Sequence, residues 1–513
     1  MLMKSIVIHT VRGSFLLLLI TLCVTGRAQT TTTLSIRDTS GPVISRNIYG
    51  HFSEDLGRCI YDGFWTGDHI RMDVVEALKK IKVPALRWPG GCYADQYHWA
   101  DAIGPRNQRK RTVNTTWGMV TEDNSFGTHE FLELCGLLGC QPYIAGNVGT
   151  GTPQEMENWL EYLNFNGKST LADLRRQNGR EEPWKVSFWG VGNESWGCGG
   201  SMTPEFYANQ YNRYSEFCKQ YPGAPLKLIA SGPNADDYNW TDVLMKNIDL
   251  HRTWGLSMHY YTIAGSWRHK GSATQFGEDD YFKALAASLK MEEIVNKHSA
   301  IMDKYDPAKR VALVVDEWGI WTDAEPGTNP AFLYQQNSLR DALIAGTTLN
   351  IFNNHADRVK MAALAQTVNV LQALILTDKD KMLLTPTYYV FDLYKVHQDA
   401  RSLVIQIASP DYVYEGHSIP AVNASASRDS SGAVHISLVN LDPSHKITVR
   451  TTLPGISYKS ITGQILTSGK YTDINTFDQP DKVTIASFSG AKKQGEELVV
   501  ELPAASVVVL ELK

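Results

Sequence analysis

A regular alternation constrains this chain more than anything else in it. Short apolar runs with strand character recur eight times over roughly 350 residues, at 47–52, 85–88, 141–147, 187–193, 226–231, 255–260, 310–317 and 348–353. Helix-like segments separate them, among them 73–81, 128–138, 153–164, 204–221, 279–305 and 331–345. Strands joined through helices are parallel, because the crossover returns the chain to the same end of the sheet. Eight such units predict an α/β fold, a (β/α)8 TIM barrel with insertions. From residue 395 the pattern changes. The segments AVHISLVNL, KITVRTTL, KVTIASF, ELVVELP and SVVVLEL are short, β-branched and divided by Gly, Pro, Ser and Asp turns, which predicts a C-terminal all-β sandwich. Residues 33–37 read as a strand that joins this sandwich, and the threonine run ending at Thr33 reads as a disordered tether. At 513 residues the chain exceeds what one hydrophobic core supports. The expected organisation is a leader over 1–28, an N-terminal strand segment over 29–45, a catalytic barrel over 46–394 and the sandwich over 395–513.

Lys4, Arg12, the apolar stretch 15–24 and the small-residue site at Gly26, Arg27 and Ala28 form the pattern of a secretory signal. It predicts export to a periplasmic or extracellular location. The stretch is shorter than the about 20 residues a membrane span needs, and Cys23 follows Leu22 rather than a small residue, so no membrane anchor is expected. Export would permit disulfides. Six cysteines after the leader are too few for a disulfide scaffold in so long a chain, and mostly buried free thiols are expected, with Cys135 and Cys140 the only pair close in sequence. A net charge of -5 gives no reason to expect a nucleic-acid partner. The one basic cluster, Arg106, Arg109, Lys110 and Arg111, reads as a solvated loop.

In a parallel barrel the carboxyl ends of all strands converge on one face, so residues at those ends meet although distant in sequence. Two runs end there in a glutamate: SFWGVGNESWG carries Asn193 and Glu194, and VALVVDEWGIW carries Asp316 and Glu317, 123 residues after Glu194. A retaining glycosidase needs one carboxyl group to protonate the leaving oxygen and a second, anionic one to attack the sugar. Glu54, Arg87, Asn147, His259, Tyr261 and Gln366 fall at or beyond the same strand ends and give the mouth acids, amides, an arginine and rings. Each has a plainer reading: Asn193 as a turn cap, Arg87 as a structural counter-charge, Trp99 as core rather than a sugar platform. Asn193, Glu194 and Ser195 spell a glycosylation sequon that a buried turn would make a false match. His51 with Cys59 lacks zinc-site spacing, and no metal site is expected.

The segments IYGHFSEDLGRCIYDG, PALRWPGGCYADQYHW, GNVGTGTPQEMENWLEYLN, WGVGNESWGCGG, SMHYYT, VVDEWGIW and MAALAQTVNVLQALILTD, in this order over most of residues 45–395, make the chain resemble the α-L-arabinofuranosidases of glycoside hydrolase family 51. The resemblance implies Glu194 as general acid/base and Glu317 as nucleophile of a double displacement. It implies Glu54, Arg87, Asn193, His259, Tyr261 and Gln366 as residues around the bound furanose. It further implies exo-acting release of arabinofuranose from hemicellulose, pectin or oligosaccharides, no cofactor, and a homo-oligomer, a trimer or hexamer. Some members carry Asn after the PGG where this chain has Cys92, Tyr93, Ala94 and Asp95, so contacts there do not transfer. A β-xylosidase or endo-β-glucanase of the same fold, and a non-catalytic carbohydrate-binding protein, are the competing readings.

Overall fold

The computed structural model describes residues 31–39 and 41–513, so the leader-like residues 1–28 lie outside the described residues. Eight parallel strands close into a barrel: β1 (Gly50–Phe52), β2 (Ala85–Trp88), β3 (Gln141–Gly146), β4 (Phe188–Val191), β5 (Lys227–Ala230), β6 (Thr253–Thr262), β7 (Ala312–Ile320) and β8 (Val359–Ala365). They neighbour one another in chain order, and β8 closes on β1 by pairing Ala363 to Ala365 with Gly50 to Phe52. Continuous apolar runs such as ALVV at the start of β7 suit strands covered on both faces. Several helices begin at a Thr-Pro pair: the Thr152 and Thr203 hydroxyls accept from the N–H of the third helical residue, Glu155 in Pro153–Asn164 and Phe206 in Pro204–Phe217. No described helix is long and apolar enough to cross a membrane.

The eighth strand is not where the sequence pattern placed it. Residues 348–353 lie inside the helix Leu339–Asn354, and β8 follows it. This helix is wedged between barrel and sandwich, with Leu339 to Asn353 all buried, so it lacks the polar stripe by which a surface helix is recognised. Its side chains reach the sandwich directly: Asn353 Nδ2 donates to Ser425 Oγ at 3.1 Å, and Asn354 Nδ2 to Ala424 O at 3.0 Å. The helices Thr170–Gln177, Tyr238–Asn247 and Pro386–Tyr394 were also not anticipated.

The sandwich has a six-stranded and a five-stranded sheet. Thr31–Arg37 lies in the smaller sheet, antiparallel to Val404–Ala408 and parallel to Ile447–Thr452. Thr31 to Thr33 are therefore part of a strand rather than a tether.

Inside the barrel, Ala85, Tyr143, Phe188, Ile229, Ala312, Val314 and Met361 form an apolar floor, closed from below by Trp254. Strand side chains alternate with period two. The next inward positions above Ala85 and Val314 are Arg87 and Asp316, where packed hydrocarbon gives way to buried charge.

Two sequence expectations change here, and one open alternative closes. Trp99, readable as core or as a sugar platform, is core: it stacks on Trp159 at 6.2 Å and donates to Glu155 O. Arg109 is buried rather than solvated, forking onto both oxygens of Glu130 at 2.9 Å. Cys92 and Cys198 form a disulfide, while Cys59, Cys135, Cys140 and Cys218 are free. A separation of 106 residues hid that pair from any reading of spacing.

Candidate active site

Regular alternation along β7 would send one of Asp316 and Glu317 outward. The pairing of β7 with β6 shifts register between Ser257 and His259, and with β8 between Val315 and Trp318. Such an irregularity lets consecutive residues address the same side. Both carboxyl groups reach Arg87 on β2: Nη1 donates to Glu317 Oε1 at 2.8 Å, and Nε lies 3.6 Å from Asp316 Oδ2. Tyr261 on β6 donates to Glu317 Oε2 at 2.8 Å, and Tyr143 on β3 to Asp316 Oδ2 at 2.7 Å. Arg87 Nη2 completes its fork on Asn193 Oδ1 at 2.5 Å.

Glu194 follows β4 in a turn where its own φ is +39°, a left-handed conformation unfavourable for a side chain with a Cβ. Gly197 and Gly199 donate their N–H groups to Glu194 O at 2.7 and 3.1 Å. A Cβ at Gly199 would sit 1.8 Å from Asn193 O, so this fold-back needs glycine. The turn brings Glu194 Oε1 to 2.8 Å from His259 Nδ1, while His259 Nε2 lies 3.2 Å from Asp316 Oδ1.

With an acceptor on each ring nitrogen, His259 is held as a cation. Burial opposes the charge, but Glu317, Asp316 and Glu194 together push its pKa up to about 10. One atom each of Glu194, His259 and Glu317 lie within 4.8 Å of one another, yet a protonated imidazole is a donor, not a metal ligand. Burial disfavours ionised Asp316, but Arg87, His259 and Tyr143 outweigh it and keep its pKa low. Glu194 goes the other way: burial raises its pKa, the His259 bond opposes, and Glu317 adds to the rise. Two carboxyl groups in one mouth thus differ in surroundings, one ion-paired with Arg87, the other biased toward its protonated form.

The opposite wall is built on Glu54, just after β1. Its Oε1 accepts from Gly91 N and Tyr93 N, both at 3.0 Å, and from Trp117 Nε1 at 2.9 Å; Gln366 Nε2 donates to its Oε2 at 3.2 Å. Burial, reinforced by Glu317, pushes the Glu54 pKa up to about 7 against these donors. Gln366 Oε1 and Asn193 Nδ2 are buried with no protein partner, leaving hydrogen-bonding capacity for a hydroxyl-rich ligand. A Cβ at Gly91 would sit 2.6 Å from Glu317 Oε1. Gly91→Ala is therefore expected to displace Glu317 and lower kcat/KM about 10²-fold, measured on a nitrophenyl arabinoside beside the melting temperature; unchanged kinetics would mean that the carboxylate has room to spare.

The eight residues singled out from sequence, Glu54, Arg87, Asn193, Glu194, His259, Tyr261, Glu317 and Gln366, are linked through these contacts at one mouth. Asn147 is not among them: it bonds Thr150 and Gly151 within its own loop and Tyr97 O in the segment after β2. His51 is buried against Phe391, its pKa lowered to about 3 by burial. Sequence reasoning missed Asp316, Tyr143, Trp117 and Asp95. Asp95 accepts from Val148 N, Gly149 N and Asn193 N at 2.6, 2.8 and 3.0 Å, tying the loops after β2, β3 and β4 together. For Asp316 the available signal was its place beside Glu317; for Trp117, on a separate hairpin, there was none.

A barrel whose mouth sets two carboxyl groups in contrasting surroundings has the equipment a glycoside hydrolase needs. Comparison with known proteins narrows the class. Family models described as α-L-arabinofuranosidase 1 domain and α-L-arabinofuranosidase C-terminal domain match residues 77–263 and 316–506. An intracellular exo-α-L-arabinofuranosidase of Bacteroides ovatus is 50% identical over 496 residues, covering 95% of this chain and 96% of the relative. The crystal structure of a GH51 arabinofuranosidase from Xanthomonas axonopodis pv. citri superposes with a TM-score of 0.93 at 50% identity, covering 94% of this chain and 100% of that one. An α-L-arabinofuranosidase from Thermotoga maritima, in complex with arabinose, gives 0.83 at 31% identity, covering 94% and 100%. The chain belongs to the α-L-arabinofuranosidases of glycoside hydrolase family 51.

The expectation of export is corrected by the same comparison. A relative half identical along nearly the whole chain is named intracellular, and the stretch from which export was read lies outside the described residues.

Proposed function

We propose that this chain is a retaining, exo-acting α-L-arabinofuranosidase that releases terminal non-reducing arabinofuranose from arabinose-containing hemicellulose, pectin or oligosaccharides. One observation carries the reading: Glu317, held by Arg87 and Tyr261, and Glu194, biased toward its protonated form, share His259 between them. Glu317 attacks the anomeric carbon while Glu194 protonates the leaving oxygen. Water then cleaves the glycosyl-enzyme with Glu194 acting as base. Arg87 and Tyr261 fix the attacking carboxylate, and charged His259 fixes Glu194 Oε1. The reaction runs on protein side chains alone.

Hydrolysis of a nitrophenyl glycoside panel tests the reading. The α-L-arabinofuranoside is expected to be cleaved far faster than the β-xyloside or β-glucoside, with α-arabinose as first product by NMR. Preference for the xyloside, or internal cleavage of a glucan, would replace it with one of the competing activities. Family membership also supports a homo-oligomer, a trimer or hexamer, which light scattering measures.

Glu54, Gln366 and Asn193 are proposed to bind furanose hydroxyls. Glu54→Ala or Gln366→Ala is expected to weaken transition-state binding by about 2–4 kcal/mol, as when a buried hydroxyl partner is lost. That is roughly 30- to 900-fold in kcat/KM. Unchanged kcat/KM would put them outside the subsite.

A further inference from the structure

The Cys92–Cys198 disulfide lies against the proposed acid/base. Cys198 Sγ is 3.3 Å and Cys92 Sγ 3.7 Å from Glu194 Oε2. The other oxygen, Oε1, faces the His259 N–H, so the transferable proton of Glu194 belongs on Oε2, on the sulfur side. A disulfide has no hydrogen to donate. It covers Oε2 with weakly polar surface and offers nothing that stabilises the ionised carboxyl there, whereas a thiol in its place is a donor. The bond also joins two loops that shape the mouth: the one after β2, with Gly91 and Tyr93 on Glu54, and the left-handed turn that carries Glu194.

We propose that Cys92 and Cys198, as a disulfide, are positioning residues for the acid/base: they clip its turn in place and keep donors away from Glu194 Oε2, so that reduction impairs proton donation to poor leaving groups. The inference rests on Glu194 being the acid/base. Reduction by a dithiol is balanced: the S–S bond breaks, both sulfurs become thiols, and the two electrons and two protons come from the dithiol, which closes to its own disulfide. Cys198 is exposed at the mouth, open to such a reagent, while Cys59, Cys135 and Cys218 are buried. The charged and titratable groups facing Glu194 are His259 and Tyr261 from β6, Asp316 and Glu317 from β7, and Arg87 from β2. Reduction changes the charge of none of them, so it acts on Glu194 through the sulfurs and the turn they clip.

The test uses the folded enzyme treated with dithiothreitol, with the state of Cys92 and Cys198 read by mass spectrometry of acid-quenched, alkylated peptides. Reduction is expected to lower kcat/KM about tenfold or more on an alkyl arabinoside and only slightly on a dinitrophenyl arabinoside. It should move the basic limb of the pH profile to lower pH, and reoxidation should restore both. A Cys92→Ala/Cys198→Ala double variant should show the same leaving-group split and no response to dithiothreitol. Verified reduction that changes neither the split nor the basic limb, or that slows both substrates equally at unshifted pH, overturns the proposal. Glu194→Ala in the same assay separates the two layers. A split there with none on reduction overturns the positioning role alone, and no split in Glu194→Ala overturns the acid/base assignment and this inference with it.

Discussion

Glu317→Ala is expected to lose kcat/KM by about 10⁴-fold or more on every arabinoside, whatever its leaving group, because the attacking atom itself is gone. The vacated space lies beside Arg87 and Tyr261, whose donors then face an open anomeric side. Added azide should occupy it and displace an activated leaving group directly, giving the β-azide with inverted configuration. Product configuration by NMR decides the matter. An α-azide from this variant, or full activity on an aryl arabinoside without azide, would show that Glu317 is not the nucleophile.

Glu194→Ala should behave differently, and the difference is diagnostic. Natural arabinosides expel an alkoxide and need the proton, so their kcat/KM is expected to fall about 10²- to 10⁴-fold. An aryl arabinoside with an acidic phenol should keep its first step, giving a burst of phenol followed by slow turnover, and azide should capture the glycosyl-enzyme as the α-azide. The pH profile gives an independent check. Burial holds the Glu194 pKa above the ordinary carboxylate range, so the wild-type rate on a poor leaving group falls as pH rises through that value and the proton is lost. This basic limb should vanish in the variant. Loss of both substrates equally, with the limb retained, would reverse the two roles.

Legibility followed the range of the interaction. The strand-like runs that lead into Glu194 and Glu317 announce themselves through local periodicity and turn chemistry. Helix Leu339–Asn354 was misread for the complementary reason: buried on all sides between barrel and sandwich, it shows no polar face, and its Thr347, Thr348 and Ile351 look like strand residues. The wall around Glu54 was half visible. Gln366 sits beyond a strand end, but Trp117 reaches Glu54 from a separate hairpin. Asp316 stands in plain view beside Glu317 without a role, because regular alternation turns only one of two consecutive residues inward; Asp316 shares the inward parity of Ala312 and Val314, and the register shifts of β7 bring Glu317 to the same mouth.

The sequence by itself determined the class of barrel, the sandwich, the two carboxylates and most of their neighbours, since each depends on a pattern a few residues long or on an ordered set of such patterns. What the tertiary structure alone decided is how these groups differ. Arg87 meets Asp316 and Glu317 across 229 and 230 residues of sequence, and Cys92 meets Cys198 across 106. Ring closure sets those distances, and distance and burial in turn set which carboxyl is ion-paired and which is pushed toward its protonated form. Proton affinity follows from charges and dielectric within a few ångströms in space, a neighbourhood that proximity along the chain does not define.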